Sequence, residues 1–234
     1  KMINTVLDYL EELFPNPVCE LNYKNDYELL IAIMLSAQTT DKRVNIVTKD
    51  LFSKYKSVRE LSLADIKDVE DIIRSLGNYT KKSYAVIEIA KKVTEWGSVP
   101  KSRNLLLSLP MVGRKTVNVF LSEYYGIPNI AVDTHVEKVS KRLGISSPSS
   151  DVLEVENNLK KVIPRDLWCD THLRLVLFGR YYCTARNPKC DKCKLKNLCQ
   201  KDKIKWANAH FCLCLLITSV IVATANTKVV PERM

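Results

Sequence analysis

Apolar residues recur along this chain at helical spacing in almost every segment, and alternation by two is nearly absent. Val6, Leu7, Leu10 and Leu13 form one stripe, halted by Pro15 and Pro17. Tyr27 to Ser36 is a near-continuous apolar run, predicted to be a fully buried central helix with Asp26 as its N-cap. Asp41 to Tyr55 carries Val44, Val47, Leu51 and Phe52 on one face. Ser62-Leu63-Ala64-Asp65 reads as a capping box, with Ile66, Val69, Ile72 and Ile73 continuing helically to Gly77, a C-cap glycine. Lys81 to Trp96 is a further amphipathic helix, closed by Gly97 and Pro100. Six glycines in all, short connections and no repeat of solenoid period predict an all-α fold.

A chain of 234 residues can bury a proper core, as one unit or as two packed halves. Lys and Arg number 36 against 26 Asp and Glu, a net charge of +10 that favours a polyanionic partner, most simply nucleic acid. No glycine-rich phosphate loop, dinucleotide fingerprint or serine nucleophile elbow occurs, which removes those enzyme classes. Of eight cysteines, four crowd into one short lysine-rich segment, while Met2 to Asp8 reads as an amphipathic helix with acids and not as a signal peptide. A reducing, cytosolic compartment with thiols kept for metal fits that usage. Phe211 to Ala223 is continuously apolar but only about 13–15 residues long, short of the ~20 that span a bilayer. Membrane insertion is therefore not expected, and the stretch after Trp206 stands as an apolar tail of unassigned role.

Three motifs carry chemistry. Cys183, Cys190, Cys193 and Cys199 stand with gaps of six, two and five residues, so one wrap of backbone presents four thiolates to a single metal centre. A structural zinc site is the alternative, although one C-x2-C flanked by longer unequal gaps departs from paired zinc knuckles. Leu105 to Leu109 reads as a helix end, Pro110 stops it, Met111-Val112-Gly113 turns, and Arg114 restarts a helix through Val117, Val119, Phe120 and Leu121. Such a helix–hairpin–helix exposes successive backbone N–H groups at a positive helix end, where a DNA phosphate can sit without base specificity. Lys115 falls in the first turn of that helix, where a cation is disfavoured and, with Arg114 adjacent, the neutral nucleophilic amine is favoured. A surface lysine near phosphate would occupy the same position. Asp133, in Ile130-Ala131-Val132-Asp133-Thr134-His135, caps the next helix, and such a carboxylate facing a cleft can also stabilise a developing positive sugar or accept a proton.

Leu109-Pro110-Met111-Val112-Gly113-Arg114-Lys115-Thr116, the segment Ala131-Val132-Asp133-Thr134-His135, the cysteine spacing and Leu29 to Asn45 together resemble bacterial endonuclease III, from about residue 5 to about residue 203. The resemblance implies an all-α helix–hairpin–helix DNA glycosylase fold. A six-helix barrel would occupy residues 21–130, and a cluster domain residues 1–20 and 131–205, with a cleft between them. It implies base excision repair by a monomer on double-stranded DNA carrying damaged pyrimidines or abasic sites, in a bacterial cytoplasm at the nucleoid. Lys115 becomes the nucleophile and Asp133 its partner, and the four cysteines become ligands of a [4Fe–4S] cluster. Gln38 corresponds to the glutamine that fills the gap left by a flipped nucleotide. Val112, Gly113 and Arg114 belong to the phosphate-gripping hairpin, and Arg186 and Lys189 to a basic loop on the DNA backbone. Two departures stand out: Met111 where the family has glycine, and Asn78 where it has an apolar wedge. Both predict altered substrate handling with the catalytic pair intact. Two alternatives remain at this point. A monofunctional mismatch adenine glycosylase would lack the hairpin lysine, and a non-catalytic damage-binding protein would keep the fold alone.

Overall fold

The computed structural model describes residues 2–202, and the apolar tail from Trp206 onward and residues 203–205 of the expected cluster domain lie outside the described residues. Among the described residues every regular element is helical. In chain order they are α1 (Met2–Leu13), α2 (Asp26–Leu35), α3 (Asp41–Lys54), α4 (Val58–Ser62), α5 (Ile66–Ile73), α6 (Tyr79–Trp96), α7 (Arg103–Leu107), α8 (Arg114–Tyr125), α9 (Thr134–Arg142), α10 (Val152–Val162) and α11 (Trp168–Leu177). A π-helical turn, Phe178–Tyr182, extends α11 to the first clustered cysteine.

Two apolar clusters organise these helices. The first gathers Leu21 to Leu121, with α2 at its centre: every residue from Tyr27 to Leu35 is buried. The second joins Val6, Tyr9 and Leu10 of α1 to Ile130 and Val132, α9, α10, Leu175, Phe178 and Leu195. The chain's first helix thus closes on its last third, and Tyr9 donates to the Tyr182 hydroxyl at 2.9 Å. Burial of this many aliphatic side chains at about 25 cal/mol per Å² is the main favourable contribution to folding.

Three local expectations need correction. The N-cap of α2 is Asn25 and not Asp26: Asn25 has the extended backbone a cap requires and its side chain accepts from Glu28 N–H at 3.1 Å. Asp26 sits inside the first turn and accepts instead from Val99 N–H at 2.7 Å, tying the segment before α7 to α2. Ser62 does not open a capping box, because it ends α4 and donates to the Arg59 carbonyl at 2.7 Å, while Asp65 itself caps α5 by accepting from Lys67 N–H at 2.7 Å. Gly77 does not cap α5, which ends at Ile73; Leu76 N–H turns back to the Ile73 carbonyl at 2.8 Å to bury Leu76. The left-handed residue there is Asn78, at φ +58°, immediately before α6.

Candidate active site and metal centre

The hairpin is seated by its apolar residues. Leu106, Leu109, Val112 and Val117 are buried in the first cluster, and the Val112 N–H reaches the Leu109 carbonyl at 3.3 Å. Gly113, Arg114 and Lys115 are left on the surface, with Gly113 as N-cap of α8 and no side chain capping the first turn. The orphan N–H groups of that turn are therefore open to an external acceptor. Gly113 is extended, at φ −100° and ψ −179°, so its backbone does not demand glycine. A Cβ there would meet nothing within 4 Å of the protein, so what glycine preserves is open approach to the amides from outside.

Arg114 does not point at that opening. Its Nε and Nη2 each donate to Glu156 at 2.8 Å, and Glu156 also accepts from Lys160 at 2.6 Å and from Asn118 at 3.2 Å. Glu156 lies on α10, so this ion pair bolts the hairpin's second helix to the second cluster. Despite the burial that opposes its charge, the Arg114 and Lys160 partners hold the Glu156 carboxyl below its ordinary value.

Lys115 and Asp133 line one cavity of about 80 Å³, together with His172, Ser36, Asp41 and Arg180 among others. The elements that meet there include α2, the start of α3, α8, the cap of α9, α11 and the π-helical turn, so both apolar clusters contribute a wall. Asp133 is the N-cap of α9, and both capping bonds end on one oxygen: Oδ1 accepts from His135 N–H at 2.9 Å and from Val136 N–H at 2.8 Å. The helix fixes the carboxylate through that atom. His172 is buried beside the pair with Nδ1 lacking a hydrogen-bond partner. Burial pushes its imidazole down to about 4, with Asp133 opposing and Lys115 reinforcing the shift. The wall next to Lys115 is thus a neutral ring at physiological pH. No sequence motif marks His172, Asp41 or Arg180; the side chains of the last two pair at 2.7 Å.

Gln38, Asn78 and Met111 share an unusual feature. They are the three non-glycine residues with positive φ among those described, at +59°, +58° and +59°. All three are exposed, each at the tip of a separate turn. Asn tolerates the left-handed region well, whereas methionine there costs on the order of 1 kcal/mol. Met111 therefore carries backbone strain, and its side chain is 42% exposed.

Cys183, Cys190, Cys193 and Cys199 all line a second cavity, of about 140 Å³, with Arg142, Lys189, Lys196 and Lys201 around them. None of the four is in a disulfide. Arg142 donates to Cys183 Sγ at 3.2 Å and Lys201 to Cys190 Sγ at 3.8 Å, cations suited to a centre carrying thiolate charge. Four thiols spread around a cavity fit a polynuclear cluster, and Phe178 and Tyr182 wall it from the second apolar core. Arg186 and Lys189 lie in the loop between the first two cysteines, and the Lys189 ammonium sits over the Tyr182 ring at 5.6 Å.

Residues 31–165 match the HhH-GPD superfamily base excision DNA repair protein family, and residues 183–199 match the iron–sulfur binding domain of endonuclease III. Endonuclease III of Bacillus subtilis is 45% identical over 205 residues, covering 87% of this chain and 94% of that protein. Endonuclease III of Escherichia coli K12 is 40% identical over 202 residues, covering 85% and 95%. A solved structure of a trapped endonuclease III–DNA covalent intermediate superposes with a TM-score of 0.83 at 45% identity, over 87% of this chain and 97% of that one. A thermostable thymine-DNA glycosylase shares the fold at a TM-score of 0.75 and 22% identity.

Proposed function

The chain belongs to the endonuclease III family of helix–hairpin–helix base excision repair proteins, and from that premise we propose that Lys115 and Asp133 are its catalytic pair. The protein is a bifunctional DNA glycosylase and abasic-site lyase that acts on double-stranded DNA with oxidised pyrimidines. Its cofactor is a [4Fe–4S] cluster. The assignment of the pair rests on one observation: Lys115 and Asp133 open onto the same cavity from different helices.

The damaged nucleotide is rotated out of the duplex toward that cavity. The Lys115 amine attacks C1′ of the sugar, and the glycosidic bond breaks with its electron pair leaving on the base. Asp133, anchored to α9 through Oδ1, offers its remaining oxygen to the positive sugar and to the proton lost by the attacking amine. The sugar ring then opens, the C1′–O4′ bond breaking as O4′ takes up a proton, and the resulting iminium acidifies the C2′ hydrogen; loss of that proton expels the 3′ phosphate and nicks the strand. Neutral His172 places no second cation beside the amine and keeps that wall dry.

The DNA contacts follow from the same reading. The first-turn amides of α8, behind Val112 and Gly113, hold a phosphate, with Arg114 contributing its backbone N–H while its side chain braces the hairpin. Gln38, Asn78 and Met111 meet the duplex from three turns, and Arg186 and Lys189 meet its backbone. The cysteines at 183, 190, 193 and 199 hold the cluster, which when bound supplies a rigid cross-link of the loop between them. Two domains, residues 21–130 as the six-helix barrel and residues 1–20 with 131–205 as the cluster domain, are supported by the two apolar clusters. The barrel span holds seven helical segments, two of them five residues long. No helix among the described residues is long and apolar enough to cross a membrane. We place the enzyme with the bacterial chromosome in the cytoplasm.

The test is a duplex with one ring-saturated pyrimidine. Base release and a nick 3′ to the site should appear together and both vanish in Lys115→Gln. Release of adenine from a mismatch with no nick would favour the monofunctional alternative, and binding without turnover the damage-binding one.

A further inference from the structure

Lys82 is a lysine in the core. It lies on the apolar stripe of α6 with Val86, Ile89 and Val93 and is 1% exposed. Among the described residues its ammonium meets no carboxylate. It donates instead to the Leu35 carbonyl at 3.0 Å, the Ala37 carbonyl at 2.9 Å and the Thr39 hydroxyl at 3.4 Å. Those three acceptors bracket Gln38, whose φ is +59° and whose side chain is exposed. The Leu35 carbonyl belongs to the last residue of α2, where the helix leaves carbonyls unpaired and its dipole is negative. A buried cation is costly, and burial alone pushes this ammonium down from its ordinary value. The three bonds offset that cost and hold the turn in the left-handed conformation.

The same side chain starts one turn beyond Asn78: the Lys82 backbone N–H donates to the Asn78 carbonyl at 3.0 Å. Through Lys82 the turn at Gln38 and the turn at Asn78 are therefore one mechanical unit, although 40 residues of sequence separate them. We propose that Lys82 is a positioning residue that holds Gln38 and Asn78 in register, so that the two enter the duplex together when a nucleotide is extruded. The proposal rests on the reading that both tips face DNA. It assigns to Lys82 no contact with substrate.

Its consequence is selective. Extruding a paired nucleotide needs both tips, whereas a ready-made abasic site is already unstacked on one strand and needs them less. In the intact, cluster-loaded enzyme, Lys82→Met should slow single-turnover release of a paired damaged pyrimidine by about tenfold or more, and slow nicking of an abasic duplex by less than about threefold. Lys82→Arg, which keeps a buried donor, should recover part of the loss. Combining Lys82→Met with Gln38→Ala should add little to Gln38→Ala alone, since both remove the same action. Fluorescence of 2-aminopurine placed beside the lesion should report less unstacking in both variants. A merely structural lysine would lower Tm and reduce both activities by the same factor, and that result overturns the proposal. Should Lys82→Met not fold, Lys82→Gln decides on the same ratio of activities. If Gln38→Ala leaves the fluorescence and both rates unchanged, the reading that Gln38 probes DNA is what fails. If Gln38→Ala impairs release and the Lys82 variants do not, that reading stands and the coupling is refuted.

Discussion

Replacing Arg114 with methionine tests whether its guanidinium braces the hairpin or grips DNA. Methionine keeps an unbranched apolar stem and removes only the charged head. That head makes two bonds of 2.8 Å to Glu156, a carboxylate 3% exposed, and after its loss Lys160 at 2.6 Å and Asn118 at 3.2 Å remain. Stripping a buried ion of its only partner costs about 3–5 kcal/mol. Here one cation is retained and the Arg114 side chain is itself 54% exposed, so the cost falls to about 2–3 kcal/mol. For a chain of this length that lowers Tm by roughly 5–10 °C. Glu156→Gln should cost about half as much, because the cations it strands can turn to water. The double variant should cost less than the sum of the two. Calorimetry gives the three Tm values, and anisotropy across a salt series gives the slope of DNA affinity against salt. An unchanged Tm with that slope shallower by about 1 would refute the brace and return the guanidinium to a phosphate.

Met111→Gly should relieve the left-handed strain, about 1 kcal/mol, against a similar gain of freedom in the unfolded chain. Stability should therefore change little while affinity for abasic duplex rises; weaker binding would mean that the Met111 side chain itself contacts DNA. His172 has a folded-state value of about 4 against an ordinary 6.5, so between those pH values the unfolded chain binds the additional proton. Stability should fall by about 3 kcal/mol as pH drops across that window, and His172→Asn should flatten the fall. The depressed Glu156 carboxyl acts only below its ordinary 4.5, where its contribution is lost, so Tm measured from pH 6.5 to 4.5 isolates the histidine. Cys193→Ser should abolish visible iron–sulfur absorbance and release the loop with Arg186 and Lys189, making the salt slope of DNA binding shallower by about 2. A variant that keeps its colour and its slope would remove Cys193 from the ligand set.

How much of this was legible beforehand depended on whether a residue's role is local. The helices were, because amphipathic periodicity and proline stops act within one element. The hairpin between α7 and α8 and the four-cysteine loop were legible too, since each closes over a short stretch of chain. The ends of α2 and α5 were misplaced by one to four residues because Asn25 and Asp26 are both competent caps, and only the tertiary bond from Val99 N–H to Asp26 separates them. His172 carried no usable signal: a lone histidine on a half-apolar helix reads as core, and what distinguishes it is its approach to Asp133 and Lys115 across the fold. The brace that the Arg114 side chain makes has no local signature, because Glu156 lies 42 residues away. Lys82 did leave a trace, as a cation at the 82, 86, 89, 93 stripe of α6, masked by its neighbour Lys81 in what looks like a solvated pair.

The nucleophile can be identified directly. Abasic duplex incubated with the intact enzyme and borohydride yields a covalent adduct, which proteolysis and mass spectrometry reduce to one modified peptide. The deoxyribose remnant should sit on Lys115, and Lys115→Gln should trap nothing above background. A remnant on any other lysine, or native trapping by Lys115→Gln, contradicts the account.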